Sequence, residues 1–152
     1  MSIVWTADLN TEIDEIDNQH QRIVDYINQL ENAFERQDRQ SVGVVLDELV
    51  DYSLSHFAFE ESLQEEAGYT FAKPHKAIHE MFVKRLTRYQ EKHLAGEDVA
   101  RRLHVMLSTW LMHHIKRDDM AYVPDVKASL GRLAHDKTDG SWVNRLLKTL
   151  FK

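Results

Sequence analysis

The chain has 152 residues, 43% of them hydrophobic and 29% charged, with a formal net charge of -6; that length suits one domain with a sizeable core, and that charge disfavours nonspecific nucleic-acid binding. No apolar run is long enough to cross a bilayer, and Met1 to Asp8 lack the basic region and apolar core of an export signal, so a cytoplasmic location is expected. Without cysteine, disulfides, thiolate metal sites and cysteine nucleophiles are excluded.

Two prolines and five glycines leave long stretches free to be helical. Ile16, Ile23, Ile27 and Leu30 recur at helical spacing and predict a first helix. A second runs from about Ser41 to Glu66, with Val45, Leu49, Tyr52, His56 and Leu63 on or near one stripe and Gly68 as its stop signal. Pro74 suits an early position of a third helix, which carries Ile78, Phe82, Leu86 and Tyr89 and fades near Gly96. A fourth begins around Glu97 and carries Val99, Leu103, Met106, Trp110 and Ile115. It is expected to break before Pro124, with a shorter apolar segment following through Leu133. Four long amphipathic helices with short links predict an all-α, antiparallel up-down four-helix bundle with an N-terminal arm. The boundaries are 1–134 for the bundle and 135–152 for a linker around Lys137 to Gly140 followed by a short C-terminal helix.

The nine histidines matter by placement, since imidazole is the commonest side-chain metal ligand. His20 lies near the start of the first helix. His56 lies on the second with Glu60 four residues later. His75 and His79 lie four apart on the third. His114 lies on the fourth, with Asp118 and Asp119 four and five residues on. Residues four apart share a helix face, and the apolar neighbours Phe57, Phe59, Ile78, Phe82, Trp110, Leu111 and Ile115 turn those faces inward. Buried imidazoles and carboxylates are costly unless a positive charge compensates them. One such pair is weak evidence for a metal; three pairs on successive helices plus His20 point to one jointly. His93, His104, His113 and His135 are set aside.

Histidine with carboxylate suits iron, manganese or zinc, and seven ligands are too many for one zinc. The paired Glu-x-x-His motifs of ferritin-like sites are absent, as is the zincin His-Glu-x-x-His. A histidine-rich, carboxylate-poor two-metal site remains.

The segments Ile13-Asp14 through Asp17-Asn18-Gln19-His20, His56-Phe57-Ala58-Phe59-Glu60-Glu61, His75 through His79, and Trp110 through His114-Ile115-Lys116-Arg117-Asp118-Asp119 resemble the hemerythrin family, specifically its single-domain bacterial members, over roughly residues 3–130. The resemblance implies two iron ions with an oxo or hydroxo bridge. His75, His79 and His114 would bind one iron, His20 and His56 the other, and Glu60 and an aspartate would span both. The family places that aspartate five residues after the histidine, which selects Asp119 although spacing alone favours Asp118. Three bridges plus three histidines make six bonds on one iron; three plus two make five on the other, leaving a position for molecular oxygen. Ile23, Phe57, Trp110, Leu111 and Ile115 are candidate oxygen-pocket walls, with ordinary core packing as the alternative for each.

The chain departs from the family at Leu63-Gln64, where Leu-Met is usual. Gln64 follows Glu60 by four residues, so it either brings a polar group to the oxygen route and speeds autoxidation, or is a solvated side chain near a helix end. In the tail, Trp142, Val143, Leu146, Leu147, Leu150 and Phe151 form an apolar stripe opposite basic residues. This helix suits a membrane surface or a protein partner through residues 141–152, or packs back on the bundle. The expected function is reversible oxygen binding by a monomer, for storage, delivery or buffering, with an oxygen or redox sensor as the alternative and no enzymatic activity.

Overall fold

A computed structural model describes residues 2–135 and 140–151. The order is a 3-10 turn Ala7–Leu9, α1 Asp14–Glu35, α2 Arg39–Ala67, α3 Ala72–Leu94, α4 Ala100–His113, a π-helical segment His114–Asp119, α5 Met120–His135 and α6 Gly140–Leu150. The predicted all-α bundle is what forms: α1, α2, α3 and the composite α4–π–α5 are its four rods. Most of the expected linker, residues 137–139, lies outside the described residues.

Local chemistry explains the ends of α2. The Asp38 side chain accepts the Ser41 backbone N–H at 3.1 Å, satisfying a donor that the helix start leaves over. Gly68, at φ 67, adopts the left-handed conformation that closes α2, where a side chain would be strained. The core runs along the rods through Leu30, Leu49, Leu86 and Leu103, all at zero exposure; each contributes ~1.5–3 kcal/mol by leaving water.

One expected break does not occur. The fourth rod continues through the π-helical segment into α5, with Pro124 inside α5. Pro124 is the fifth residue of α5, and the chain before it is already in a wider register, so α5 accommodates a residue that usually ends helices.

The N-terminal arm is pinned to α1. Asn28 accepts the Ile3 N–H at 2.8 Å and donates to the Ile3 carbonyl at 3.0 Å. Asp17 accepts from the Thr11 N–H and hydroxyl, both at 2.8 Å, and from the Glu12 N–H at 3.1 Å. This clasp holds Glu12 at φ 66.

The C-terminal helix packs back on the bundle. Trp142, Val143, Leu146, Leu147, Leu150 and Phe151 lie against a buried cluster of Ile13, Ile16, Phe59, Leu63, Tyr122 and Val126. The Phe151 ring sits 5.3 Å from Tyr52 and 6.3 Å from Phe59. No helix among the described residues is long and apolar enough to cross a membrane.

Candidate metal centre

The four rods bring seven side chains to one buried point. His20 from α1, His56 and Glu60 from α2, His75 and His79 from α3, and His114 and Asp119 from the π-helical segment are each at most 3% exposed. Their potential ligand atoms form two groups. One holds Glu60, His75, His79, His114 and Asp119; the other holds His20, His56 and Glu60.

The two carboxylates span the groups. Glu60 directs Oε1 toward His56 Nε2, in close contact, and toward His20 Nε2 at 3.6 Å, while Oε2 lies 3.5 Å from His75 Nε2 and 4.0 Å from His79 Nε2. Asp119 directs Oδ2 to His20 Nε2 at 3.0 Å and Oδ1 to His75 and His114 Nε2, both at 3.1 Å. Each carboxylate therefore offers one oxygen to each histidine group.

The outer nitrogens fix the tautomers. His56 Nδ1 donates to Gln19 Oε1 at 2.7 Å, His79 Nδ1 to Glu61 Oε2 at 2.9 Å, and His114 Nδ1 to Asp118 Oδ2 at 3.0 Å. A proton on Nδ1 leaves a lone pair on Nε2, the arrangement a metal ligand needs. His79 Nε2 and His114 Nε2 then face each other at 3.0 Å, two electron-rich atoms that a shared proton or a metal ion bound by both makes tolerable. His20 Nε2, His75 Nε2 and all four oxygens of Glu60 and Asp119 are likewise buried without a hydrogen-bond partner. This donor set fits a pair of divalent metal ions.

Protonation tells the same story. Burial pushes His20 and His75 down, but the facing carboxylates of Asp119 and Glu60 outweigh it and hold them at about 9 and about 10. Burial raises Asp119 and Glu60, yet the surrounding imidazoles keep both below the ordinary carboxylate range. His56 is lowered, chiefly by burial. The pocket is built around positive charge, which protons supply when metal does not.

Aromatic rings wall the centre. Phe57 stacks on His79 with centroids 3.8 Å apart, and Trp110 on His114 at 4.3 Å. Leu111 and Ile115 are buried beside them, and Ile23 belongs to the same core cluster. Of the candidate walls only Trp110 is partly exposed.

Gln19 and Glu61 escaped the sequence reading as functional residues, and Asp118, which spacing favoured as the bridging carboxylate, is found on His114 Nδ1 instead. The signal for the first two was adjacency, each sitting one residue from a candidate ligand. Gln64 is wholly buried, with both amide atoms unpartnered, so the solvated reading is wrong for it. Of the histidines set aside, His104 lies 3.7 Å from Glu31, His93 packs toward Gly43, and His113 is exposed; the His135 side chain lies outside the described residues.

A four-helix bundle whose interior holds five histidines and two spanning carboxylates defines a histidine-rich metal-binding protein. The chain belongs to the hemerythrin family: the profile described as hemerythrin HHE cation binding domain matches residues 11–126. It is 49% identical to the bacteriohemerythrin of Pseudomonas aeruginosa (strain LESB58), covering 98% of this chain and 97% of that one. It is 50% identical to that of Stenotrophomonas maltophilia, with the same coverage. A solved structure of wild-type hemerythrin matches with a TM-score of 0.79 at 32% identity, over 83% of this chain and 98% of that chain.

Proposed function

We propose that His20, His56, Glu60, His75, His79, His114 and Asp119 hold two iron ions with an oxo or hydroxo bridge, and that the protein binds molecular oxygen reversibly there for storage, delivery or buffering. The observation that carries this reading is the split of Glu60 and Asp119, each with one oxygen toward each histidine group. His75, His79 and His114 would hold one ion and His20 and His56 the other, with Glu60 and Asp119 shared, so the side with two histidines would have room for a ligand. When bound, the iron pair supplies the electrons that oxygen binding draws on and takes back on release. The chain does the rest. Gln19, Glu61 and Asp118 hold imidazoles in the ligating tautomer, and Phe57, Trp110, Leu111 and Ile115 exclude water that would otherwise strand the irons oxidised.

The family and its bacteriohemerythrin relatives support this reading. The test is metal analysis together with absorption spectra of the reduced protein before and after air. Two irons per chain and a visible band that disappears under vacuum are expected. A colourless protein with one zinc overturns it. We propose no sensor role through the C-terminal helix, because the apolar stripe that would dock a partner is turned onto the bundle.

A further inference from the structure

Trp110 connects the metal centre to the surface. Its ring stacks on His114 on one side, at 4.3 Å and 15°, and on Phe82 on the other, at 3.8 Å and 18°. Its outer edge lines a groove of about 760 Å³ between α3 and α4. That volume is in the range of pockets for small molecules and cofactors.

The groove's chemistry is unlike that of three other grooves on the described surface. Arg85, Arg101, Arg102 and His113 rim it, Tyr89 supplies an aromatic ring and Trp110 an edge, and no acidic side chain lines it. The chain as a whole carries 25 acidic residues against 19 basic, and three other surface grooves each include Asp or Glu. Arg85, Arg101 and Arg102 are exposed and none of them has an ion-pair partner among the described residues. Guanidinium forks that are not engaged match a phosphate, and the Tyr89 ring beside the Trp110 edge matches a planar ring.

We propose that this groove binds a planar, phosphate-bearing electron donor of the reduced flavin mononucleotide class, and that Trp110 is its contact with His114. The proposal rests on the di-iron reading above, because irons stranded oxidised must recover electrons. Donor chemistry narrows the choice. A nicotinamide gives a hydride, which must meet its acceptor directly, and the Trp110 ring stands between groove and centre. A dihydroflavin releases electrons singly. It loses two electrons and the two protons on N1 and N5 to become oxidised flavin. The electrons cross Trp110 and His114 one at a time, each of two ferric ions becomes ferrous, and the protons leave to water.

The test titrates flavin mononucleotide into the metal-free and iron-loaded protein, following flavin fluorescence, and separately times reduction of the oxidised protein by dihydroflavin without air. Saturable binding is expected in both forms. The exposed double variant R101E/R102E should bind about tenfold more weakly or worse, since two phosphate-matching charges are reversed, and should be reduced correspondingly more slowly, with circular dichroism and oxygen binding unchanged. Trp110→Leu should slow reduction more than it weakens binding. Absent flavin binding, or an affinity indifferent to the arginines, overturns the proposal. So does reduction by an acidic redox protein but not by free flavin. Flavin binding that persists in a protein unable to bind oxygen would instead count against the oxygen-binding reading, leaving the groove assigned.

Discussion

Asp119 Oδ1 lies 3.1 Å from His114 Nε2 although five residues separate the two. In a regular α-helix the fifth residue is rotated well off the face of the first. The π-helical segment His114–Asp119 widens the turn and returns Asp119 to the face of His114, a use of π-bulges that recurs at functional sites. Asp118 is thereby moved around to the other ring nitrogen, Nδ1, at 3.0 Å. The two neighbours should therefore differ in kind. Asp119→Ala is expected to abolish stable metal binding, while Asp118→Ala should retain it with a loss of about 10–100-fold, the usual cost of removing a partner that orients a ligand. Metal content after dialysis and chelator competition measure both, and equal losses would contradict the division of roles.

The metal-free protein should show a distinctive pH profile. His20 and His75 are raised to about 9 and about 10, above the ordinary imidazole value. Their stabilisation is full below about pH 6.5 and is lost as the pH rises through those folded values. Glu60 and Asp119 are lowered, so theirs is present above the ordinary carboxylate range and lost on acidification. His56 is lowered by burial, so its share is lost as the pH falls below about 6.5; maximum stability is expected near pH 6.5, falling toward pH 10 and on acidification. Denaturation midpoints across that range check this, and a midpoint that climbs above pH 8 contradicts it.

The same protons should appear on metal uptake. At about pH 7.5, His20 and His75 are protonated in the metal-free protein, and a ligating imidazole must be neutral. Loading should release about two protons per chain from these imidazoles, and at least one more from the water that becomes the bridge, measurable with an indicator dye in weak buffer. Release of the bridge proton alone would mean that the imidazoles were already neutral.

Gln64 buries an amide without a partner, which costs ~1–3 kcal/mol. Gln64→Met replaces it with an apolar side chain of similar length. Stability should rise by about 1–2 kcal/mol, and the oxygenated protein should autoxidise more slowly because a polar group one turn from Glu60 is gone. Unchanged autoxidation would sever Gln64 from the oxygen route.

Removing residues 140–152 should uncover Phe59, Leu63 and Tyr122, all now at most 2% exposed. Each large apolar side chain returned to water costs ~1.5–3 kcal/mol, partly offset by the freed segment's entropy, so a Tm drop of roughly 5–10 °C is expected. Liposome binding should not change. Vesicle association lost with the segment would restore the membrane reading.

The four rods, the Gly68 stop and the inward pairs His56/Glu60 and His75/His79 were legible in the sequence, because spacing four is a local property of a helix, and His20 and His114 joined them as the histidines set among apolar residues on the other two helices. The resemblance added Asp119, which spacing alone would have passed over for Asp118. Tertiary structure decided what depends on distant partners. Unbroken passage of the fourth rod through Pro124 depends on the wider turn before it. Whether Gln64 is wet depends on what the bundle lays over it, and the placement of the C-terminal helix on the apolar face offered by Ile16, Phe59 and Tyr122. The roles of Gln19, Glu61 and Asp118 depend on which ring nitrogen each can reach, a relation set by the packing of helices and not by position along one.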